Sequence, residues 1–417
     1  MTPLALAIVA LAAGATDAPE LLRTHCLGCH AGHAQAPIRF DTLEGVQRNR
    51  GLMRALIEDR TMPPWLPSDE GAPLTHRRRL DDATREALLA ALATRESADR
   101  AFASLAPPLP PEIDCPDIFG PRAAWTMPAT GGMRLRTYLA DVAASAPTRV
   151  RGARFAEPRD LGLSPLRFVS LAPDPKRTLS AMEVGGVAGF ESMGNVGRVP
   201  SGALGALSRV ATAFELPRGF AFDLPRGGVA IETLGEPVGR ERPVDPTLAW
   251  IAADTADTRT VHPLAFFPSR LVLEPGEISE RTVEQPMPRA MDVVGVIAKG
   301  GAFLRSVRLE ATAADGATSV LLDVPDFRVS LLEPWILREP VRIEPGARLA
   351  MRLGYDNSAA NPQQPSRPPQ RVVGGLPPDH EDTLCVVLYA EVMDPAPRRA
   401  PAQVPAPAPA QAAPAPR

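Results

Sequence analysis

Five residues near the N-terminus form the pattern with the clearest chemistry. Cys26, Leu27, Gly28, Cys29 and His30 make a C-x-x-C-H motif. Two thiols separated by two residues can reach the two vinyl groups of one haem, and the adjoining imidazole then lies beneath the iron. The motif predicts covalent haem c, held by Cys26 and Cys29, with His30 as the proximal iron ligand.

Two other kinds of site also use paired cysteines. A thioredoxin-like redox pair needs a strand before the motif and a helix after it. Half of a zinc site needs two more ligands nearby, whereas the remaining cysteines, Cys115 and Cys385, are remote in sequence. The pattern therefore favours haem c.

A second iron ligand is expected downstream in the same module. Met62 lies in Arg60-Thr61-Met62-Pro63-Pro64-Trp65, where the prolines end a helix and hold an extended loop that can present a thioether. His/Met ligation keeps the iron coordinatively closed and suits electron transfer. Core packing is the alternative role of Met62. Met53 is the alternative ligand, and His25 and His33 are expected at the surface near the haem edge.

Three helices are predicted around the motif. Asp17 can cap the first, which runs into the cysteines, and Asp41 or Thr42 can cap the second. The third begins near Leu80-Asp81-Asp82. The second helix has apolar positions at helical spacing at Leu43, Val46, Leu52, Leu56 and Ile57. The third has them at Leu88, Leu89 and Leu92, and Arg95 is expected in its last turn. Together these helices predict a compact all-α module that ends near residue 100.

Charge and hydropathy restrict the class of protein. The 417 residues carry a formal net charge of -3, which gives no electrostatic reason to expect nucleic acid. An apolar run from Leu4 to Ala13 is too short to span a bilayer and is followed by Ala13-Gly14-Ala15, although no Lys or Arg precedes it. We expect a signal peptide cut after Ala15, export to the periplasm or the outside, and no membrane span. An ordinary apolar helix of a cytosolic protein is the alternative.

The remainder of the chain has a β-sheet pattern. Short alternating or β-branched segments recur between Gly/Pro turns, as is typical of antiparallel sandwiches. The segments are Met133 to Leu139, Leu166 to Leu171, Val229 to Thr233, Leu271 to Leu273, Val293 to Ile297, Val307 to Ala311, Val320 to Leu322, Leu349 to Leu353 and Thr383 to Tyr389. Roughly 280 residues are too many for one sandwich, so two in tandem are expected.

These patterns predict a multidomain chain with a small all-α cytochrome c module followed by all-β tandem antiparallel sandwiches of jelly-roll-like form. The predicted segments are a signal peptide (1–15), a haem domain (16–100), a Pro-rich linker (101–112), a first sandwich (113–245), a second sandwich (246–393) and a disordered Pro/Ala-rich tail (394–417).

The N-terminal segment resembles a known family. The stretch from Cys26 to Glu96 combines C-x-x-C-H, the M-P-P-W loop at Met62 to Trp65 and a final helix opened by Leu80-Asp81-Asp82-Ala83. It resembles short bacterial c-type cytochromes that often precede a copper type II, ascorbate-dependent monooxygenase-like domain. That domain is related to peptidylglycine hydroxylating and dopamine monooxygenases.

Three later segments are similar to that domain. Gly354-Tyr355-Asp356-Asn357-Ser358, followed by Asn361-Pro362, is similar to its Y-D-N-S-x-x-N-P signature. The segments Ala314 to Gly316, Leu321 to Val324 and Asp326-Phe327 resemble its strand-turn-strand region, and Pro116 to Ala129 resembles its opening strand. Asn and Asp in such a turn bond to local backbone, so they indicate the fold and not catalysis.

The resemblance implies two copper ions, one bound by three His in the first sandwich and one by a His-x-His pair and a Met in the second. The positions that correspond to these ligands are Lys299, Gly300 and Gly301 for the pair, Leu384 for the Met, and the segments Leu161 to Leu166 and Ala230 to Leu234 for the first sandwich. None of them is a histidine or methionine, so copper is not expected.

Two histidines follow residue 100, His262 and His380. We expect both to be solvated turn residues. The alternative is one divergent metal site at His380 with its neighbouring carboxylates. Cys115 and Cys385 form an even pair in an exported chain, so a disulfide between them is also plausible.

The sequence thus predicts an exported electron-transfer protein with a redox partner protein, in which the β domain is a docking or structural platform. An active haem-coupled oxygenase with a divergent metal site is the alternative. A haem sensor in which Met62 yields to a small ligand is a third hypothesis.

Overall fold

A computed structural model shows a chain that is mostly β-sheet, with a few N-terminal helices. It describes residues 18–31, 38–76, 78–105, 118–120, 125–142, 148–156, 166–174, 188–191, 202–208, 211–244, 246–254, 259–375 and 380–392. The expected signal peptide (1–15), residues 106–112 of the linker and the tail (394–417) lie outside these ranges. So do Asp17, His33 and Cys115.

Helices make up most of residues 18–101. The first runs as α1 (Ala18–Leu22), continues as a π-helical turn (Arg23–Leu27) and ends as α2 (Gly28–His30). It is followed by α3 (Leu43–Glu58), α4 (Asp82–Ala91) and α5 (Arg95–Ala101). Thr42, one of the two predicted caps, caps α3, and Asp81 caps α4 at the predicted start of that helix. Each accepts a hydrogen bond from a backbone N–H of the first turn.

Two helix predictions are wrong in detail. Arg95 does not end the third helix but opens α5, because Thr94 and Ser97 form a capping box that starts a new helix. Leu52 is 45% exposed, whereas Met53 is buried. The buried stripe of α3 follows Val46, Met53 and Ile57, and Leu52 lies outside that stripe.

The helices have a hydrophobic core of their own. Leu22 of α1, Val46 of α3 and Leu88 of α4 are fully buried in it, and Phe102 closes it after α5. Cys26 packs against this cluster. Because the core collects residues from each long helix, it fixes the C-x-x-C-H segment relative to the loop that follows α3.

A first β region follows, defined by strands β1 to β13. Their bounds are β1 (Ile118–Phe119), β2 (Trp125–Met127), β3 (Arg134–Asp141), β4 (Arg149–Phe155), β5 (Leu166–Pro173), β6 (Phe190–Glu191), β7 (Ala206–Ser208), β8 (Ala213–Glu215), β9 (Phe220–Asp223), β10 (Gly228–Gly235), β11 (Arg242–Val244), β12 (Leu248–Ala252) and β13 (Arg259–Thr260). One sheet has the order β1-β12-β4-β9-β13 with β8 on β4, and a second has β6-β3-β10-β5-β7; β2 pairs with β11.

A second β region contains strands β14 to β23. Their bounds are β14 (His262–Phe266), β15 (Val272–Leu273), β16 (Ile278–Pro286), β17 (Met291–Lys299), β18 (Leu304–Thr312), β19 (Thr318–Val324), β20 (Pro334–Ile343), β21 (Arg348–Asp356), β22 (Val372–Val373) and β23 (Leu384–Glu391). Its two main sheets have the orders β14-β23-β17-β20 and β16-β21-β18-β19, and β15 pairs with β22.

All nine predicted strand segments overlap observed strands, and six lie entirely within them; the other three begin one residue early, at Met133, Leu271 and Thr383. The boundary between the β regions differs from the predicted one at 245, because β12 and β13 pair with β4 and β9 of the first region. The strand pairing places the boundary at Val261. Every residue of β17 is buried. Gly202 of the first region packs against this strand, since a Cβ atom placed on Gly202 would lie 3.8 Å from Ile297 Cδ1. The two regions therefore share one apolar core.

Residues 65–75, which we call the strap, join the helical part to the second β region. Backbone N–H groups of Ser68 and Ala72 donate to Asp323 and Leu321 of β19, at 2.8 and 3.1 Å. The Thr75 N–H donates to Ile336 of β20 at 2.8 Å. Because β19 and β20 are edge strands of different sheets, the strap crosses the open side of the second region and covers both edges.

In the described part of the chain, no helix has the length and apolar character needed to cross a membrane.

Candidate functional site

The C-x-x-C-H residues lie together at the end of the first helix. Cys26 belongs to the π-helical turn, and Cys29 and His30 belong to α2. Both cysteines are free and half-buried. One turn of helix separates the two thiols, so chain connectivity alone keeps them within reach of a single flat ligand.

His30 is held in a fixed orientation. Its Nδ1 lies 2.6 Å from the carbonyl oxygen of Ile38, and its ring stacks on Phe40 with the centroids 4.3 Å apart. When Nδ1 donates to that carbonyl, Nε2 keeps the lone pair that a metal ion needs. Burial lowers the pKa of His30, and the bond to Ile38 opposes this shift. The imidazole is therefore neutral at pH 7, the form that binds metals.

The two thiols lack the properties of a redox pair. Burial, with a smaller contribution from Cys29, raises the pKa of Cys26 to about 12. Burial also raises the pKa of Cys29. Reactive C-x-x-C pairs instead have lowered thiol pKa values, and the segment before Cys26 is helical where a thioredoxin-like motif needs a strand. These features count against dithiol chemistry at the two cysteines.

Met62 lies in the loop after α3, where it is half-buried. The backbone N–H groups of Thr61 and Met62 both donate to the carbonyl of Leu56, at 2.9 and 3.0 Å, which turns the chain sharply out of the helix. Met62 lines a cavity of about 160 Å³ together with Ile57, Arg60, Pro63, Trp65, Pro67, Arg79, Leu80 and Arg85. The sulfur of a thioether that lines a cavity can donate a lone pair to a metal ion bound there.

The other candidates near the haem motif occupy different surroundings. Met53 is 3% exposed and packs in the helical core, which gives it a packing role. His25 was expected at the surface but is half-buried, because the helix turns it towards Asp81 at the start of α4. Burial lowers the pKa of His25, and Asp81 opposes that shift.

Arg78 connects the haem motif, the Met62 loop and the second β region. Its Nε donates to the carbonyl of Pro64 at 3.2 Å, and its Nη2 lies 2.6 Å from Glu333 Oε1. The guanidinium also lies 6.0 Å from the centroid of the Trp65 ring. It is close enough to Cys29 to lower the pKa of that thiol against the effect of burial, while Glu333 raises it. Arg78 therefore binds the Met62 loop and the second β region directly, and it acts on the C-x-x-C-H segment through electrostatics.

Glu333 is a buried carboxyl that the sequence did not reveal. It directly precedes β20, and 5% of its surface is exposed. Burial raises the pKa of Glu333 to about 7, and Arg78 opposes the shift by attraction and by a hydrogen bond. The two partners are 255 residues apart in sequence, so no local pattern could have paired them.

A second buried charge cluster, the junction triad, lies between the two β regions. Lys299 Nζ of β17 is 2.7 Å from Glu232 Oε1 of β10 and 2.9 Å from Asp382 Oδ2 before β23. Burial by itself would lower the pKa of Lys299, but attraction to Glu232 and Asp382 outweighs it and raises the pKa. The lysine therefore stays charged inside the protein and binds one β region to the other.

Two members of the junction triad, Lys299 and Glu232, stand at positions where the family resemblance implies copper ligands. Lys299 stands opposite Leu384 in the β17–β23 pair, and Glu232 lies in the Ala230 to Leu234 segment. Residues 161–165 of the remaining segment lie outside the described residues. What meets at these positions is an ammonium group with two carboxylates. Among the described residues, no group of three or more His, Cys, Asp or Glu could hold a metal ion.

Gly300 and Gly301 make room for a buried carboxylate. Glu381 accepts hydrogen bonds from the N–H groups of Gly301, Phe303 and Leu304 at 2.5, 3.1 and 3.2 Å. The Thr383 hydroxyl adds a fourth bond at 2.9 Å. A Cβ built on Gly301 would lie 2.9 Å from Glu381 Oε2, tighter than ordinary contacts. Glycine there permits the close approach of a carboxylate to the backbone.

Changing Gly301 to alanine is expected to lower the free energy of unfolding by about 1–3 kcal/mol, because the added methyl pushes against a carboxylate held by four donors. Urea unfolding measures the change. Gly51 of α3 has open space around its Cβ position, so Gly51→Ala is the matched control and is expected to stabilise by about 0.5–1 kcal/mol. A neutral Gly301→Ala would show that the Glu381 carboxylate moves freely.

The two late histidines differ from the expectation of solvated turn residues. His262 is exposed but begins strand β14, where it stands opposite Tyr389. His380 is half-buried, and its Nδ1 is buried without a hydrogen-bond partner among the described residues. The adjoining carboxylates are already engaged, Glu381 by backbone N–H groups and Asp382 by Lys299. The alternative metal site at His380 therefore lacks the carboxylate neighbours it requires.

Cys385 is fully buried in β23, and burial raises the pKa of its thiol. Its expected partner, Cys115, lies outside the described residues, so the disulfide stays a prediction.

The Y-D-N-S segment has a structural role, as predicted. Asn357 is fully buried, and its Nδ2 donates to the carbonyls of Leu273, Glu274 and Gln370. The Asn361 amide donates to the carbonyls of Ala302 and Asp356. These amides connect separate loops, so they stabilise the fold.

Comparisons with known proteins leave the family open. No family model and no curated protein matches the chain. Among solved structures, the major capsid protein P2 from bacteriophage PM2 is similar at 12% identity and a TM-score of 0.22, covering 67% of this chain and 98% of that chain. Paenibacillus xanthan lyase gives 9% identity and a TM-score of 0.18, covering 69% and 28%. The infectious bursal disease virus VP2 subviral particle gives 10% and 0.17, covering 68% and 79%. Such low scores assign neither fold nor function.

Proposed function

We propose that this protein is an exported c-type cytochrome that transfers single electrons to or from a redox partner protein. The observation that carries the proposal is the C-x-x-C-H segment at a helix end, with His30 Nδ1 held by the Ile38 carbonyl. That bond leaves Nε2 for the iron. The raised thiol pKa values of Cys26 and Cys29 count against the dithiol alternative.

Each residue has a defined role in this proposal. Cys26 and Cys29 would hold the haem covalently, His30 would be the proximal ligand and Met62 the distal ligand. The haem supplies reversible one-electron chemistry when it is bound. The helical core and Phe40 exclude water from the His30 side, and the loop after α3 presents Met62.

In this proposal the β regions are a structural or docking platform, built as tandem antiparallel sandwiches of the monooxygenase-like type with lost copper ligands. This part of the proposal is supported by the partners of the buried charged groups, which are all within the protein. Lys299 pairs with both Glu232 and Asp382, and Glu381 is satisfied by backbone donors. Packing accounts for these groups, and none of them faces a cavity among those described.

The test is the purified full chain, produced in a bacterial host that attaches haem c. We expect a low-spin haem that stays with the chain after denaturation, reversible one-electron reduction, and negligible copper by elemental analysis. Stoichiometric copper with reductant-dependent oxygen consumption would instead support the oxygenase alternative. Absence of covalent haem would contradict both hypotheses.

Met62→Ala is expected to open the distal side of the iron, so that the reduced variant binds carbon monoxide at neutral pH while the reduced wild type does not. Absorption spectra of the reduced proteins measure this difference. Met53→Leu is the control, because Met53 lies in the helical core and its loss should leave the spectrum unchanged. The reverse result would assign the distal ligand to Met53, and carbon monoxide binding by the wild type would support the sensor hypothesis.

A further inference from the structure

The Arg78–Glu333 ion pair has a position that packing alone does not explain. It is the contact at which a buried charge of the second β region meets the segment that carries the haem ligands. Arg78 binds the Pro64 carbonyl, two residues after Met62, and both members of the pair act on the Cys29 thiol. The pair therefore lies beside both chain segments that would flank the haem.

We propose that Arg78 and Glu333 control the reduction potential of the haem and couple its reduction to uptake of a proton by Glu333. This inference rests on the proposed cytochrome function. It gives the second β region a role in redox chemistry beyond that of a platform, because Glu333 belongs to that region and Arg78 to the helical part.

The surroundings of Glu333 suit this role. Among the described residues, the charged and titratable groups that interact with it are Arg78, from the segment after the strap, and, through electrostatics alone, the Cys29 thiol of α2. The Ser208 hydroxyl of β7, which donates to the neighbouring Leu332 carbonyl, is neutral. The next charged side chains along the chain, Arg338 and Glu339 of β20, are exposed. Burial raises the pKa of Glu333 to about 7, so this carboxyl changes charge near neutral pH.

The coupled step balances in charge and atoms. With haem bound, a one-electron donor protein would supply the electron that takes the iron from the ferric to the ferrous state. Water supplies a proton that converts the Glu333 carboxylate to a carboxylic acid. The carboxylate stabilises the ferric state and the acid does not, so loss of the proton disfavours reduction. A unit charge roughly 10 Å from such a centre changes its equilibrium by about tenfold at an effective dielectric constant of about 20.

Spectroelectrochemical titration of the holoprotein from about pH 5 to about pH 9 tests the coupling. The wild-type potential is expected to fall as pH rises through the window around neutrality, with a several-fold (about three- to tenfold) change in the equilibrium constant for reduction. Glu333→Gln is expected to have a higher potential at alkaline pH and to lose this dependence. In Arg78→Gln, the pH window in which the potential falls is expected to move to higher pH, because the cation that lowers the Glu333 pKa is gone.

Matched variants separate this electrostatic role from a structural one. Glu339→Gln and Arg338→Gln change exposed groups of the same strand and should leave the titration as in the wild type. Glu333→Asp keeps the carboxyl and should retain the pH dependence, which covers the case in which Glu333→Gln does not fold. Parallel wild-type and Glu333→Gln curves would overturn the coupling while leaving the cytochrome proposal intact. A chain without covalent haem would instead overturn the proposed function.

Discussion

Replacing both Cys26 and Cys29 with alanine is expected to remove covalent haem completely, the largest effect of any change in this chain. The two thiols are the only free cysteines in the described helical part, and both lie within one turn of His30. Each single variant keeps one thiol and should retain at most one thioether link. Haem staining of the denatured chain on a gel, together with the absorption spectrum of the reduced protein, measures the result.

Cys385→Ala is the matched control for this experiment. Its thiol is fully buried in β23 of the second β region, so its loss should leave haem attachment unchanged. Covalent haem that persists in the double alanine variant would contradict the assigned attachment sites. Loss of haem in Cys385→Ala would show that attachment depends on folding of the second β region.

Lys299→Met is expected to lower the free energy of unfolding by about 3–5 kcal/mol, because it leaves two carboxylates facing each other without a cation in a buried junction. The raised pKa of Lys299 fixes the pH dependence. A folded-state pKa above the unfolded value stabilises the fold at all pH values below about 10, and this contribution is lost as the pH rises further. The difference from the wild type should therefore be constant around neutral pH and shrink only in alkaline solution.

Urea unfolding of the wild type and the variant measures this difference. The triple variant Lys299→Met, Glu232→Gln, Asp382→Asn carries no net buried charge, so it should recover part of the loss. Arg48→Met is the surface control, since the Arg48–Glu44 pair is 73% and 77% exposed and should contribute a small fraction of the effect. A Lys299→Met variant as stable as the wild type would show that the junction triad does not join the two β regions.

Local signals predicted much of the fold. Thr42 and Asp81 act as helix caps because their side chains bond to N–H groups three residues away. Alternating or β-branched apolar residues located nine strands, because a strand in a sandwich must bury at least one of its faces. Strand β20 was missed because it starts with Pro334 and contains Pro340, and proline, which lacks a backbone N–H, argues against a strand. Strand β16 was missed because its side chains remain largely exposed along the whole strand.

The charge pairs could not be predicted in this way. Lys299 carried one usable signal, since it is one of two lysines in the chain and ends the largely apolar segment that forms β17, in which all nine residues are buried. A lysine in such a run requires buried partners, but nothing in the sequence names Glu232, 67 residues away. No sequence pattern marked Glu333, because its burial and its pairing with Arg78 both arise when the segment after the strap packs against the second β region.

The sequence by itself determined the spacing of Cys26, Cys29 and His30, because the three residues lie within five positions and one helical turn separates them whatever the rest of the chain does. The orientation of His30 by Ile38, and the encounters of Arg78 with Glu333 and of Lys299 with Glu232 and Asp382, required the folded chain. The energy of a charge depends on its distance to other charges and on burial, and both are properties of the packed structure.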